Sequence, residues 1–253
     1  MADALDTAAR RTRLQLAKEL AASVGQGVLA PLSLRRSRTV SPRRADLRTV
    51  LFVHGLAGTG AGFWPMRLWL RACGIDRQLV YDYPTVGLRR RTGTVESMAI
   101  ALQREIDARV RGGRIDVVAH SMGGLVARTW IQLLGGHRRV DRLVTLATPH
   151  AGTENAAWLP SAVGVQLRPG SDLLRRLDDA PMPDHVHATS IIAGGDTVVR
   201  PVASAHAPWG THVHVDDVGH TSMLMSPRVF AAVHDALCRP GSAPPKPRSR
   251  RAQ

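Results

Sequence analysis

Apolar positions along the chain fall into short continuous runs separated by longer stretches of helical spacing. The runs cover residues 49–53, 78–81, 115–119, 142–147, 189–193 and 212–215. Short, mostly apolar runs of this length suit strands buried on both faces. Between them, 63–72, 94–110, 125–134 and 227–237 carry helix-like spacing. Thr94 followed by Glu96 and Ser97 predicts a helix start, and Gly112-Gly113 a helix stop. Strand–helix alternation predicts an α/β fold, a mostly parallel central sheet with helices on both faces. Ligand sites in such sheets lie beyond the carboxyl ends of the strands. The residues just after each run are therefore the ones that carry chemistry.

The flanks differ from this body. Residues 1–48 predict a peripheral helix over 1–24, with Leu5, Ala9, Leu16, Leu20 and Val24 on one side, followed by a Pro/Ser/Arg-rich linker over 31–48. Residues 239–253 read as a disordered basic tail. The domain expected to fold is 49–238. Its 44% hydrophobic and 21% charged content for the whole chain excludes wholesale disorder. No run of 18 apolar residues occurs, which excludes a transmembrane helix. Two cysteines, Cys73 and Cys238, exclude a disulfide-rich scaffold and a four-cysteine zinc site.

The formal net charge of +14 suggests nucleic acid until it is located. Residues 1–48 carry +6 and 239–253 carry +5, which leaves +3 for the body. Only Lys18 and Lys246 among the basic residues are lysine. The excess is an arginine-rich property of the flanks, expected to give at most weak, salt-dependent contact with an anionic membrane surface and no specific nucleic-acid binding. Arg89-Arg90-Arg91 reads as a solvated loop. No compact signal-peptide pattern opens the chain, so the expected location is cytoplasmic or peripheral to a membrane.

The third run ends in Ala119-His120-Ser121-Met122-Gly123-Gly124 and leads into a helix. Small-x-Ser-x-Gly at a strand-to-helix turn is a nucleophile elbow. The turn is tight, so the residues two before and two after Ser121 must be small, and the Met122 N–H at the helix start faces the same space. A tetrahedral oxyanion needs two donors. Leu56 N–H, in His54-Gly55-Leu56-Ala57-Gly58 after the first run, is the candidate for the second. The serine needs a base, and the base needs an orienting carboxylate. His220, in Val218-Gly219-His220-Thr221-Ser222 between the last run and the last helix, is the candidate base, with His150 as its rival. Asp196, in Gly194-Gly195-Asp196-Thr197-Val198-Val199, is the candidate acid. Asp216 and Asp217 lie too close in sequence to His220 to occupy a separate strand end.

These motifs, with Ala147-Thr148-Pro149-His150-Ala151-Gly152-Thr153, span most of the chain. Together they resemble the α/β-hydrolase fold serine hydrolases, and among them the bacterial triacylglycerol lipase and esterase family. The resemblance implies nucleophile Ser121, acid Asp196, base His220 and backbone oxyanion donors at Leu56 and Met122. It also implies that His150 is a wall residue of the substrate cleft. His54, Gly55, His120, His150 and Leu159 are expected to bind substrate. Residues 153–184 are expected to form a small cap or lid whose apolar side chains line the acyl site. Leu56 stands where other relatives carry phenylalanine or a glycine-rich stretch, which would alter the acyl pocket.

The expected function is serine-dependent hydrolysis of acyl esters, with a small-molecule ester or lipid as substrate and no metal or organic cofactor. The same residues serve acyltransferases, thioesterases and amidases, because fold alone does not set function. A noncatalytic binding protein on this fold is a further alternative, opposed by the presence of a competent residue at every catalytic position.

Overall fold

The computed structural model describes residues 48–56, 58–83 and 93–239. The expected helix over 1–24, nearly all of the 31–48 linker, the Arg89-Arg90-Arg91 loop and the tail from 240 lie outside the described residues. Six strands form one sheet: β1 (Thr49–Val53), β2 (Gln78–Tyr81), β3 (Ile115–His120), β4 (Val140–Leu146), β5 (His187–Ala193) and β6 (Thr211–Val215). Their order is β2-β1-β3-β4-β5-β6, and every neighbouring pair is parallel. The order reverses between β1 and β3, so a crevice is expected outside their carboxyl ends. Val53 pairs with Ala119 at that end, which brings the two following loops side by side.

Successive side chains of a strand point to opposite faces, and both faces are covered. Leu51, Val53, Val117 and Ala119 enter one core with α2 (Val95–Arg109) and α3 (Met122–Arg128). Val50, Phe52, Val118 and Val144 enter the other, with α1 (Trp64–Ala72) and α6 (Pro227–Cys238). This two-sided burial is why the strands read as continuous apolar runs. Strand β6 departs from the pattern. It is the sheet edge, and Thr211, His212 and His214 are exposed.

The helix ends follow local chemistry. Thr94 caps α2 by accepting from Ser97 N–H, and Ser97 Oγ accepts in return from Thr94 N–H. Gly60–Phe63 forms a 3-10 turn that feeds α1. Helix α3 begins at Met122, three residues earlier than the apolar spacing suggests, because the elbow turns directly into it. It continues as a π-helical turn over Thr129–Leu133.

Residues 153–184 hold a 3-10 turn (Glu154–Trp158), α4 (Ala162–Leu167) and α5 (Asp172–Asp179). Ser161 and Ser171 cap the two helices through Gly164 N–H and Leu174 N–H. The side chains of Val163, Leu167, Leu173, Leu174 and Leu177 are buried in the same core as α2 and α3. The segment is thus welded to the body by its apolar side, which corrects the expectation that those side chains line the acyl site. The large apolar residues it leaves outside are Trp158 and Val165.

Candidate active site

Ser121 stands between β3 and α3 with φ 54° and ψ −130°. A non-glycine residue held there costs roughly 1–3 kcal/mol and persists only where the surroundings enforce it. The enforcement is visible. Ser121 N–H donates to the Leu146 carbonyl at 2.8 Å, and the Ser121 carbonyl accepts from Gly124 N–H at 3.0 Å. A Cβ on Gly123 would lie 2.4 Å from the His54 carbonyl oxygen, and one on Gly55 would lie 2.8 Å from Ser121 Cβ. The small residues let the loop after β1 press against the elbow, and that contact decides their size.

Ser121 Oγ lies 2.9 Å from His220 Nε2, and His220 Nδ1 lies 2.8 Å from Asp196 Oδ2. All three residues are buried or nearly so. The other oxygen, Asp196 Oδ1, accepts from Val198 and Val199 N–H, each at 2.8 Å. Two backbone bonds join the acid loop to the base loop, Gly194 N–H to the Val215 carbonyl and Gly195 N–H to the Val218 carbonyl. Asn155 and Thr153 tie the 153–184 segment to the same loop through the Val198 carbonyl, at 3.0 and 2.9 Å. Residues far apart in the chain are therefore brought into one relay by the carboxyl ends of β3, β5 and β6. The rival acids stand apart: Asp216 and Asp217 are exposed, and Asp217 pairs with Arg228.

Leu56 is half-buried in the turn after β1, next to the Gly55 that touches Ser121. Met122 is the first residue of α3, where a backbone N–H has no partner within the helix. Both donors expected for an oxyanion are thus beside the serine. His54 is buried, stacked on Tyr83 at 4.1 Å, and its carbonyl accepts from the Tyr83 hydroxyl at 2.5 Å. Burial lowers its pKa, opposed by the Gly55 carbonyl and Asp82. His54 acts on the shape of the loop, and Tyr83 is a support that the sequence pattern did not flag.

His120 was expected against substrate, but its contacts give it another place. Its Nε2–H donates to the His220 carbonyl at 2.8 Å, and its ring lies 4.8 Å from that of His220. Burial, and next the neighbouring His220, push its pKa down to about 3, so it is neutral and always a donor there. It couples the residue before the serine to the backbone of the candidate base.

His150 is also displaced from its expected role. Its ring is buried among Thr145 Oγ1 at 3.0 Å, Ser190 Oγ at 3.5 Å and an Arg128 guanidinium nitrogen at 3.4 Å. Burial holds its pKa well below the ordinary imidazole value. This network leaves it no bond to Ser121, which removes the rival base. Leu159 is half-buried and packs on the main core.

Arg128 is fully buried at the end of α3. It donates to Gln132 Oε1, to the carbonyls of His150 and Leu177, and to Asp178 Oδ1. Its guanidinium also lies 5.4 Å from the centre of the Trp209 ring. One cation thereby links the serine's helix to the loop after β4 and to α5. Both cysteines, Cys73 and Cys238, are free thiols at the surface. Among the described residues, no group of three or more His, Cys, Asp or Glu side chains is placed to hold a metal ion. No helix among them is long and apolar enough to cross a membrane.

A family described as a domain of unknown function (DUF7379) matches residues 30–160. Among solved structures, lipase B of Aspergillus fumigatus superposes with a TM-score of 0.67 at 17% identity, over 83% of this chain and 57% of that one. The mature form of the Bacillus licheniformis lipase BlEst2 gives 0.57 at 15% identity, over 78% and 96%. Phospholipase PlaB of Legionella pneumophila gives 0.51 at 19% identity, over 58% and 39%. The chain thus spans under two thirds of the Aspergillus and Legionella proteins. Likeness at such identities shows the architecture, and the architecture is the α/β-hydrolase fold.

Proposed function

This chain belongs to the family described as a domain of unknown function (DUF7379), and from that premise we propose a serine-dependent carboxylic ester hydrolase that works through an acyl-enzyme. One observation carries the reading: the unbroken relay from Ser121 Oγ through His220 to Asp196, at 2.9 and 2.8 Å. An unactivated hydroxyl is a weak nucleophile, and a neutral imidazole at hydrogen-bond distance with its far nitrogen held by a carboxylate is what activates it. The lipase and phospholipase structures that share the fold support acyl esters, lipid-like ones included, as the substrate class.

In the proposed reaction, Ser121 Oγ attacks the ester carbonyl carbon while His220 Nε2 takes its proton. Asp196 holds the proton on Nδ1 and stabilises the imidazolium. The oxyanion rests on the N–H groups of Leu56 and Met122; losing one such donor typically lowers turnover ~10²–10³-fold. The carbon–oxygen bond to the alcohol then breaks, and His220 gives the alcohol its proton. Water repeats the sequence: His220 takes a water proton, hydroxide adds to the acyl carbon, and collapse returns the proton to Ser121 Oγ and releases the acid. His120 and the Val198 and Val199 N–H groups hold the base and the acid in register.

The test is nitrophenol release from nitrophenyl butyrate and palmitate by the wild type and Ser121→Ala. Turnover by the wild type, with a drop of at least roughly 10³-fold in the variant, supports the reading. Inactivity in both, with Ser121 labelled by a fluorophosphonate, points to another acyl donor or acceptor. Absence of both turnover and labelling overturns it.

A further inference from the structure

The edge strand β6 presents His212 and His214 on one side, two residues apart, and both are exposed. The 3-10 turn Val202–Ala205 delivers His206 to them. Its ring centre lies 4.8 Å from that of His214 and 5.2 Å from that of His212. His206 Nδ1–H donates to the Ala203 carbonyl at 3.0 Å. In the neutral ring the lone pair is therefore on Nε2, and that atom lies 3.0 Å from His214 Nε2. His212 is turned differently, its Nε2–H donating to the Ala207 carbonyl at 2.9 Å.

We propose that His206 and His214 form a surface site for a divalent transition-metal ion, bound through the two Nε2 atoms with solvent completing the coordination. Imidazole nitrogens suit Zn, Cu and Ni among the common ions. A metal-ligating histidine characteristically donates its other ring N–H to a carbonyl or carboxylate, which fixes the tautomer and aims the lone pair. His206 has that partner in Ala203. The spacing also fits. With metal–nitrogen bonds of about 2.0–2.1 Å, a tetrahedral ion sets its ligand nitrogens about 3.3 Å apart, and cis ligands of a square-planar ion sit at about 2.9 Å. The present 3.0 Å needs a shift of at most a few tenths of an ångström from two surface side chains. His212 stands nearby with its Nε2–H committed to the Ala207 carbonyl, and among the described residues no group of three or more His, Cys, Asp or Glu is placed to hold an ion, so two protein ligands make an exchangeable clip and not a closed structural cage.

Its place gives it a consequence. The segment carrying His206 continues the loop that begins at Asp196, and its Ser204 carbonyl accepts from Ala151 N–H at 3.1 Å. A metal at this pair would fasten the β5–β6 connection to the edge strand. The inference is independent of the ester-hydrolase reading, because it concerns binding and stability at a separate surface.

The experiment is calorimetric titration of the untagged full-length chain with nickel chloride. The variants are His206→Gln, His214→Gln and, as control, His137→Gln from the other surface imidazole pair, whose ring centres are 6.1 Å apart. The expected result is one saturable ion per chain and a loss of at least roughly tenfold in affinity for either His206→Gln or His214→Gln, with His137→Gln unchanged. Nickel should also raise the thermal midpoint of the wild type and not of His214→Gln. No saturable binding by the wild type, unchanged affinity in both site variants, or a loss that follows His137→Gln would overturn the proposal. In each of those cases the two rings are an ordinary N–H···N pair.

Discussion

Asp196→Asn probes the proposed relay at its least exposed member. The carboxylate uses its oxygens differently: Oδ1 accepts from two backbone N–H groups at 2.8 Å each, and Oδ2 faces His220 Nδ1. An amide placed here has to choose an orientation. Turning its NH₂ toward Val198 and Val199 would strand the buried Val199 donor, at about 1–3 kcal/mol, and the part-buried Val198 donor as well. The oxygen therefore stays at the Oδ1 position, and the NH₂ faces His220. Two donors cannot share that contact, so the imidazole proton moves from Nδ1 to Nε2. Nε2–H then points at Ser121 Oγ and cannot accept its proton. A wrong tautomer of this kind lowers turnover by about 10⁴-fold, or about 5 kcal/mol in the barrier. The backbone contacts survive, so stability should change little. The assay is nitrophenyl butyrate turnover per folded molecule, with urea unfolding run alongside. A variant that unfolds with the wild type and retains turnover within tenfold of it would refute Asp196 as the orienting group.

Two further outcomes follow from buried groups. His120 titrates at about 3 in the folded chain, against about 6.5 for an unperturbed imidazole. The unfolded chain binds the extra proton between those values, so this contribution to stability is complete above pH 6.5 and lost as pH falls. At pH 5 the loss is about 2 kcal/mol from His120 alone, and the lowered pKa values of His54 and His150 act in the same direction. Urea midpoints should fall from pH 7 to pH 5, and less so for His120→Gln; a flat profile would contradict the burial argument. Arg128→Met should cost on the order of 2 kcal/mol, because it leaves the His150 carbonyl without its guanidinium donor and the Leu177 carbonyl with Gln132 Nε2 alone of its two side-chain donors. Arg128→Lys should recover only part of that, and a melting temperature unchanged in the Met variant would show that the bridge to α5 contributes nothing.

The strands and the relay were legible in the sequence for one physical reason. Parallel strands covered on both faces are mostly apolar, so Ile115–His120 and its neighbours announce themselves, and their ends point to Ser121, Asp196 and His220. What could not be read depends on partners distant in the chain. The partner of His120 is the main chain of His220, a hundred residues on. Arg128, a cation in the last turn of a helix, has the pattern of a solvated residue, yet it is fully buried by His150, Leu177 and Trp209. Residues 153–184 carry apolar positions that suit either a cap over a cleft or packing on helices. Only the fold shows that Val163, Leu173 and Leu177 take the second option. Strand β6 reads as buried because of its valines, but among the described residues no strand pairs beyond it, and its histidines face solvent.

The sheet order also bears on how the molecule comes into being. Ser121 and His220 are ninety-nine positions apart and meet only after β3, β4, β5 and β6 have aligned in parallel. Such pairings close long loops before they gain contacts, so they form slowly. A slip of one residue in any of these strands would turn its inward side chains to the opposite face. The contact between Ser121 and His220 is then among the last that a refolding chain makes. The rate at which the relay regains reactivity toward a fluorophosphonate becomes a clock for strand registration, readable in chains whose helices have long since formed.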